Sequence, residues 1–152
     1  MNSQILTRFN SFVKNRLIEL FGILLILFSI FLFASIISYS PEDPNFIYTQ
    51  ENIQIKNIGG YYGSVISDFL LQSIGLMSVL IAFNIFFWGF KFTLNKKITN
   101  FISRIFFTLI YVISGTTFIN ISFNDSFWLI DNGNSGFMGR IIKENIYSFI
   151  NL

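Results

Sequence analysis

Three long runs of the chain hold no charged residue, and short polar segments separate them. Residues 20–37 form an 18-residue run in which fourteen positions are Leu, Ile or Phe. At about −0.3 to −0.6 kcal/mol each on an insertion scale, those positions sum to roughly −6 kcal/mol, enough to hold a helix in a bilayer. Residues 69–90 give a second run of 22, interrupted only by Gln72 and Asn84. Asp68 marks one end of it, and Trp88 and Lys91 mark the other, as interfacial anchors do. A third run, 105–123, is diluted by Ser114, Gly115, Thr116, Thr117 and Asn120. The pattern predicts spans over about 18–39, 69–91 and 104–123. The first run is longer than the ~7–15 residues of a secretory signal core, so it reads as a retained helix.

Ahead of it, Ile5, Leu6, Phe9, Phe12 and Val13 recur at helical spacing, opposite Arg8, Asn10, Lys14 and Asn15. That arrangement predicts an amphipathic leader over residues 1–16, lying on the membrane surface. Residues 17–152 form the membrane domain. The fold class is all-α: a polytopic helical membrane protein of repeated transmembrane hairpins.

Charge adds a direction. Arg8, Lys14 and Arg16 precede the first run, and Lys91, Lys96, Lys97 and Arg104 lie between the second and third. The other two polar segments hold only Lys56, Arg140 and Lys143, beside most of the acids. Basic residues near span ends stay on the cytoplasmic side. The N-terminus and the 91–104 segment are therefore expected inside, and residues 38–68 and the tail from 124 outside.

Composition works mainly by exclusion. The chain is 53% hydrophobic and 12% charged, with a mean hydropathy of +0.61, against about 25% charged in soluble domains. It has no Cys and no His, which removes disulfides, thiolate metal sites and the commonest general base. No catalytic, cofactor or metal residue suggests itself. A net charge of +2 is too small to argue for nucleic acid.

Residues 60–68 (Gly-Tyr-Tyr-Gly-Ser-Val-Ile-Ser-Asp) match residues 136–144 (Gly-Phe-Met-Gly-Arg-Ile-Ile-Lys-Glu) at an offset of 76. The first copy leads into a run, so the second predicts the start of a fourth helix over about 141–152. Gly75, Ser78, Ala82 and Gly89 form one stripe of small residues on the second run, a candidate helix-packing face. Asn84 lies on the opposite side, free to bond a neighbouring helix. Ser114, Thr116, Thr117 and Asn120 read either as a polar pathway or as side chains bonding back to their own helix. The sequons at Asn120 and Asn124 carry no weight beside a membrane edge.

The first run ends in Ser38-Tyr39-Ser40-Pro41-Glu42-Asp43-Pro44, and a polar loop then reaches Asn57-Ile58-Gly59-Gly60-Tyr61-Tyr62-Gly63, with Asp68 opening the next run. In this order the segments resemble the N-terminal four-helix membrane domain of the FtsK/SpoIIIE group of bacterial cell-division DNA translocases. A second Gly-x-x-Gly, Gly136 to Gly139, stands where that domain has one before its fourth helix, although Ser135 replaces the usual first glycine. The family-motif residues are thus Ser40, Pro41, Asp43, Pro44, Asn57, Gly59, Gly60, Gly63, Asp68, Gly136 and Gly139.

The resemblance implies a membrane anchor of a cell-division and chromosome-segregation motor, in the bacterial inner membrane and at the septum. Its partners would be the lipid bilayer, copies of itself as a homo-oligomer, and other division-site membrane proteins. No Gly-Lys pair occurs anywhere, so the phosphate loop of the motor is missing and the chain is expected to be no enzyme and to bind no nucleic acid directly. The competing readings are a small orphan membrane subunit and a transporter fragment. A transporter would call for ionisable residues within the spans or for broken helices, and neither is evident in the pattern.

Overall fold

The computed structural model describes residues 2–46, 54–123 and 133–150, and within them forms five α-helices and no strand. They are α1 (Asn2–Ile37), α2 (Gly60–Ile74), α3 (Met77–Asn95), α4 (Phe101–Ser122) and α5 (Gly136–Ile150). The all-α membrane class holds: α1 from Thr7, α3 and α4 are each long and apolar enough to cross a bilayer.

Leader and first span are one unbroken helix, where the sequence expectation separates residues 1–16 from the span. No Gly or Pro interrupts the junction, and Arg16 bonds Glu19 one turn on at 2.7 Å, supporting the helix through it. Thirty-six residues at about 1.5 Å each give ~54 Å, well beyond a ~30 Å hydrocarbon core. Phe9, Phe12 and Val13 of the leader face away from the protein. The side chains of Ile5 and Leu6 lie outside the described residues.

The run 69–91 departs further from expectation. It is split at Gly75, whose φ of +58° no helix accommodates, into the end of α2 and the whole of α3. Of the two, α3 alone is long and apolar enough to cross a bilayer. At 15 residues, α2 stays beside the last turns of α1: Gly59 abuts Ser35 and Phe31 at one end, and Leu71 packs with Leu32 and Ile36 at the other.

Helices α1 and α3 run antiparallel and pack closest, through small residues. A Cβ on Gly89 would stand 2.7 Å from the Gly22 carbonyl oxygen, and one on Gly22 would stand 2.7 Å from that of Gly89. Higher up, Ser29 donates a buried hydrogen bond to the Ala82 carbonyl, 2.8 Å. Lipid gives apolar helices no drive to associate, so close backbone approach and such hydrogen bonds do the joining. The interior is accordingly modest. One apolar cluster holds Leu32, Ile36, Leu71 and Ala82, a second holds Ile74, Met77 and Val112, and most Phe and Leu side chains face outward.

At the opposite end α3 closes on Lys96 and α4 opens on Asn100, both left-handed, making a tight turn. Lys96 lies 3.6 Å from Glu19 of α1, which brings the two basic segments to one end of the bundle. The helix from 136 begins five residues earlier than the 141–152 expectation, and Asn151 and Leu152 lie outside the described residues.

Candidate functional site

The motif segments 38–44 and 57–68 meet at the end of the bundle opposite the basic turn and lock together. Pro41 and Pro44 stop α1 from continuing, and the chain doubles back with the Asp43 N–H bonded to the Ser40 carbonyl. Asp43 is only 4% exposed, and its carboxylate oxygens accept the backbone N–H groups of Lys56 and Asn57, each at 2.9 Å. A carboxylate with two backbone donors is a strong, geometrically specific staple. It closes a loop that begins at Ser38 and ends at Gly59.

Asn57 is the hub. Its side-chain nitrogen donates to the Ser35 carbonyl of α1 (2.8 Å) and to the Ser67 hydroxyl of α2 (3.3 Å), while its Oδ1 accepts the Gly59 N–H (2.9 Å). Ser38 accepts the Ile58 N–H, and Ser64 donates to the Pro44 carbonyl, both at 2.9 Å. Tyr39 donates to Asp68 at 3.0 Å. At the rim, Lys56 and Glu42 form an exposed ion pair. The hydrogen bond from Lys56 holds the Glu42 carboxyl below the usual carboxylate range, and the one to Glu42 raises the Lys56 ammonium. Pro41 is exposed and lies outside this web.

Two glycines of the first motif leave room for it. A Cβ on Gly59 would meet the Ser35 hydroxyl at 2.6 Å, and one on Gly63 would meet it at 2.8 Å. Gly60 has open space around it but a φ of +63°. That conformation, costly for a residue with a side chain, turns the chain into α2.

The second motif repeats this backbone. Gly136 has a φ of +66°, and it too opens a 15-residue helix, α5. Gly139 abuts the Thr116 carbonyl of the preceding helix, as Gly63 abuts Ser35. The polar fittings differ. Ser135, in the place of Gly59, is buried and accepts a 2.7 Å bond from Asn120 of α4. The turn 133–136 then plugs the break in the other repeat: the Leu76 N–H bonds the Asn134 carbonyl at 2.9 Å. A Cβ on Gly136 would come within 2.6 Å of the Gly75 nitrogen. The broken helix therefore holds protein backbone where a transporter would hold substrate.

The chain matches the family described as the 4TM region of DNA translocase FtsK/SpoIIIE over residues 14–152. It belongs to that family. Among curated relatives, DNA translocase FtsK of Rickettsia prowazekii is 32% identical over 116 residues, covering 76% of this chain and 15% of the relative. That of Vibrio vulnificus is 28% identical over 152 residues, covering 96% of this chain and 15% of the relative. The chain thus spans about one-seventh of the length of the FtsK relatives it matches. No solved structure gives a significant match.

Within this FtsK-type membrane region, the stripe residues do two different things. Ser78, Ala82 and Gly89 are buried on α3, whereas Gly75 sits at the helix break under Asn134. Their partners on α1, Gly22 and Ser29, escape sequence reasoning, although their own spacing of seven places them on one helix face. Ser114, Thr116 and Thr117 bond carbonyls of their own helix, and Asn84 bonds Leu80. That favours back-bonding over a polar pathway. Among the described residues no three Asp or Glu side chains come together to hold a metal. The acids Asp125 and Asp131, and the sequon at Asn124, lie outside the described residues.

Proposed function

We propose that this chain is the membrane-anchoring and assembly module of an FtsK-type DNA translocase, serving cell division and chromosome segregation without catalysis of its own. The observation that carries this reading is the family match over residues 14–152, together with a motif web whose polar groups are occupied in holding helices. On this reading the module lies in the inner membrane with the basic end cytoplasmic and the clasp outside. It forms homo-oligomers, meets other division-site membrane proteins, and binds no nucleic acid directly.

The clasp has a mechanical sense here. It ties α1, α2 and loop residues 56–59 together through hydrogen bonds, so that on this reading force on a cytoplasmic attachment is shared among them and not borne by one helix.

A fluorescent fusion tests the reading: a band at mid-cell supports it, and even envelope fluorescence refutes it. The orientation is tested separately, because the chain has no native Cys. Thr49→Cys should react with an impermeant thiol reagent in intact cells and Asn95→Cys should not. The reverse pattern would overturn the topology alone.

A further inference from the structure

Helices α3 and α4 touch at two places and part between them. Near the basic turn Trp88 and Phe92 pack on Phe101, with ring centres 5.8 and 6.2 Å apart, and at the other end Met77 covers Gly115 and Val112. The gap is a cleft of about 410 Å³ lined by Asn84, Trp88, Arg104, Phe107, Thr108 and Tyr111.

Arg104 is the anomaly in that lining. It stands in the first turn of α4, where the helix already presents the positive end of its dipole and no acid compensates. Its guanidinium lies over the Phe92 ring at 5.9 Å, and its Nη1 is buried without a hydrogen-bond acceptor. A buried donor with no acceptor is costly, and a charged one more so. Glu19, the acid at this end, already serves Arg16 at 2.7 Å and Lys96 at 3.6 Å. Lys91 and Lys97 add further positive charge at the same end.

The ligand that fits is an anion with a fatty body. A phosphate oxygen would satisfy the planar fork of an arginine. The cleft lies along membrane-crossing helices, and its outer lip is apolar, with Phe107 66% exposed. Trp88, packed on Phe101 beside the basic turn, flanks it as the aromatic residues of a headgroup layer do, and Tyr111 lines its deeper part at the middle of α4. We infer that the α3–α4 cleft binds the phosphate of an anionic phospholipid in the leaflet at the basic end, with Arg104 as its ligand. Surplus positive charge there selects anionic over zwitterionic headgroups.

Trp88 reports on the cleft directly. The chain has two Trp, so Trp128→Phe leaves Trp88 alone. The full chain carrying that change is reconstituted in bilayers doped with acyl-brominated phosphatidylglycerol or phosphatidylcholine. Trp88 should be quenched several-fold more strongly by the anionic lipid. Arg104→Gln should bring the two quenching constants together, and Lys97→Gln, an equal loss of charge at the same end, should leave the preference. Equal quenching in the parent, or equal effects of the two variants, would overturn the site. So would loss of the preference on adding inorganic phosphate at constant ionic strength, which would mean a free ion occupies it. If Arg104→Gln loses its helical circular dichroism, Arg104→Lys replaces it: the charge stays, the fork is lost, and the preference should fall. An undiminished preference in Arg104→Lys would equally refute the arginine's role.

Discussion

The two glycine motifs build the same backbone from different materials. Gly60 and Gly136 share a left-handed φ, open helices of equal length, and are followed one turn later by a glycine pressed on the preceding span. Around the first copy the loop is held by side chains reaching backbone groups, through Asp43, Asn57, Ser38 and Ser64. Around the second, the Asn120 amide bonds Ser135 and the Asn134 amide reaches the Phe123 carbonyl at the end of α4, and the turn itself leans on the break at Gly75. One copy is self-sufficient and the other is braced by its sibling. What a repeat preserves is the backbone bend, and side-chain chemistry around it is free to diverge.

The sharpest way to test that difference is to add one methyl group at each leading glycine. Gly60→Ala meets nothing within 4 Å, so it costs only the left-handed backbone, about 1–2 kcal/mol. Gly136→Ala carries the same strain and also strikes the backbone nitrogens of Gly75 and Ile74, which cannot swing aside. Overpacking of that kind adds about 1–3 kcal/mol. Reversible denaturation of the two variants in detergent should rank Gly136→Ala clearly worse. Equal losses would mean that the second turn is not braced against the first repeat.

Removing side chains should invert the ranking. Asn57→Ala takes away three hydrogen bonds and strands the Ser35 carbonyl and the Gly59 N–H, a loss of about 2–3 kcal/mol. Ser135→Ala removes the partner of the Asn120 amide, about 1 kcal/mol. The same denaturation experiment reads both. A Ser135→Ala loss as large as that of Asn57→Ala would show the second copy to be no less dependent on its side chains than the first.

Which parts of this were legible beforehand follows from the solvent. In lipid, unbroken hydropathy over 18 residues nearly suffices for a helix, so α1 and α4 are readable from residues 20–37 and 105–123. The break at Gly75 is hidden because a glycine in an apolar run suits a packing face equally well. Only the contact with Asn134, 59 positions away, decides between them. The clasp is half legible. Resemblance marks the segment from Ser38 through Asp43, Asn57 and the glycines, and the repeat takes in Ser64 and Ser67. What these serines bond is invisible in the sequence, and Ser35 looks like mild dilution of an apolar run until the Asn57 amide is placed against it. The small residues of α1 fail for a related reason: Gly22 and Ser29 gain meaning only against Gly89 and Ala82.

The smallest effect belongs to the rim of the first copy, where Glu42 and Lys56 pair in full contact with water. Because Lys56 lowers the carboxyl of Glu42, the pair's contribution is present above the ordinary carboxylate pKa, about 4.3, and is lost as pH falls through the lowered value. Because Glu42 raises Lys56, the contribution is present below the ordinary lysine value, about 10.4, and is lost as pH rises through the raised one. Exposure and screening keep it small throughout. The melting temperature of the parent minus that of Glu42→Gln should therefore be a low plateau from about pH 5 to 10, falling away in acid once pH drops below the ordinary carboxylate value. It should shrink in molar salt at every pH, since the Debye length falls to about 3 Å there. The buried Asp43 staple, one residue away, should be indifferent to that salt. If the difference between parent and Glu42→Gln survives both acid and salt, Glu42 contributes through packing and the ion pair is idle.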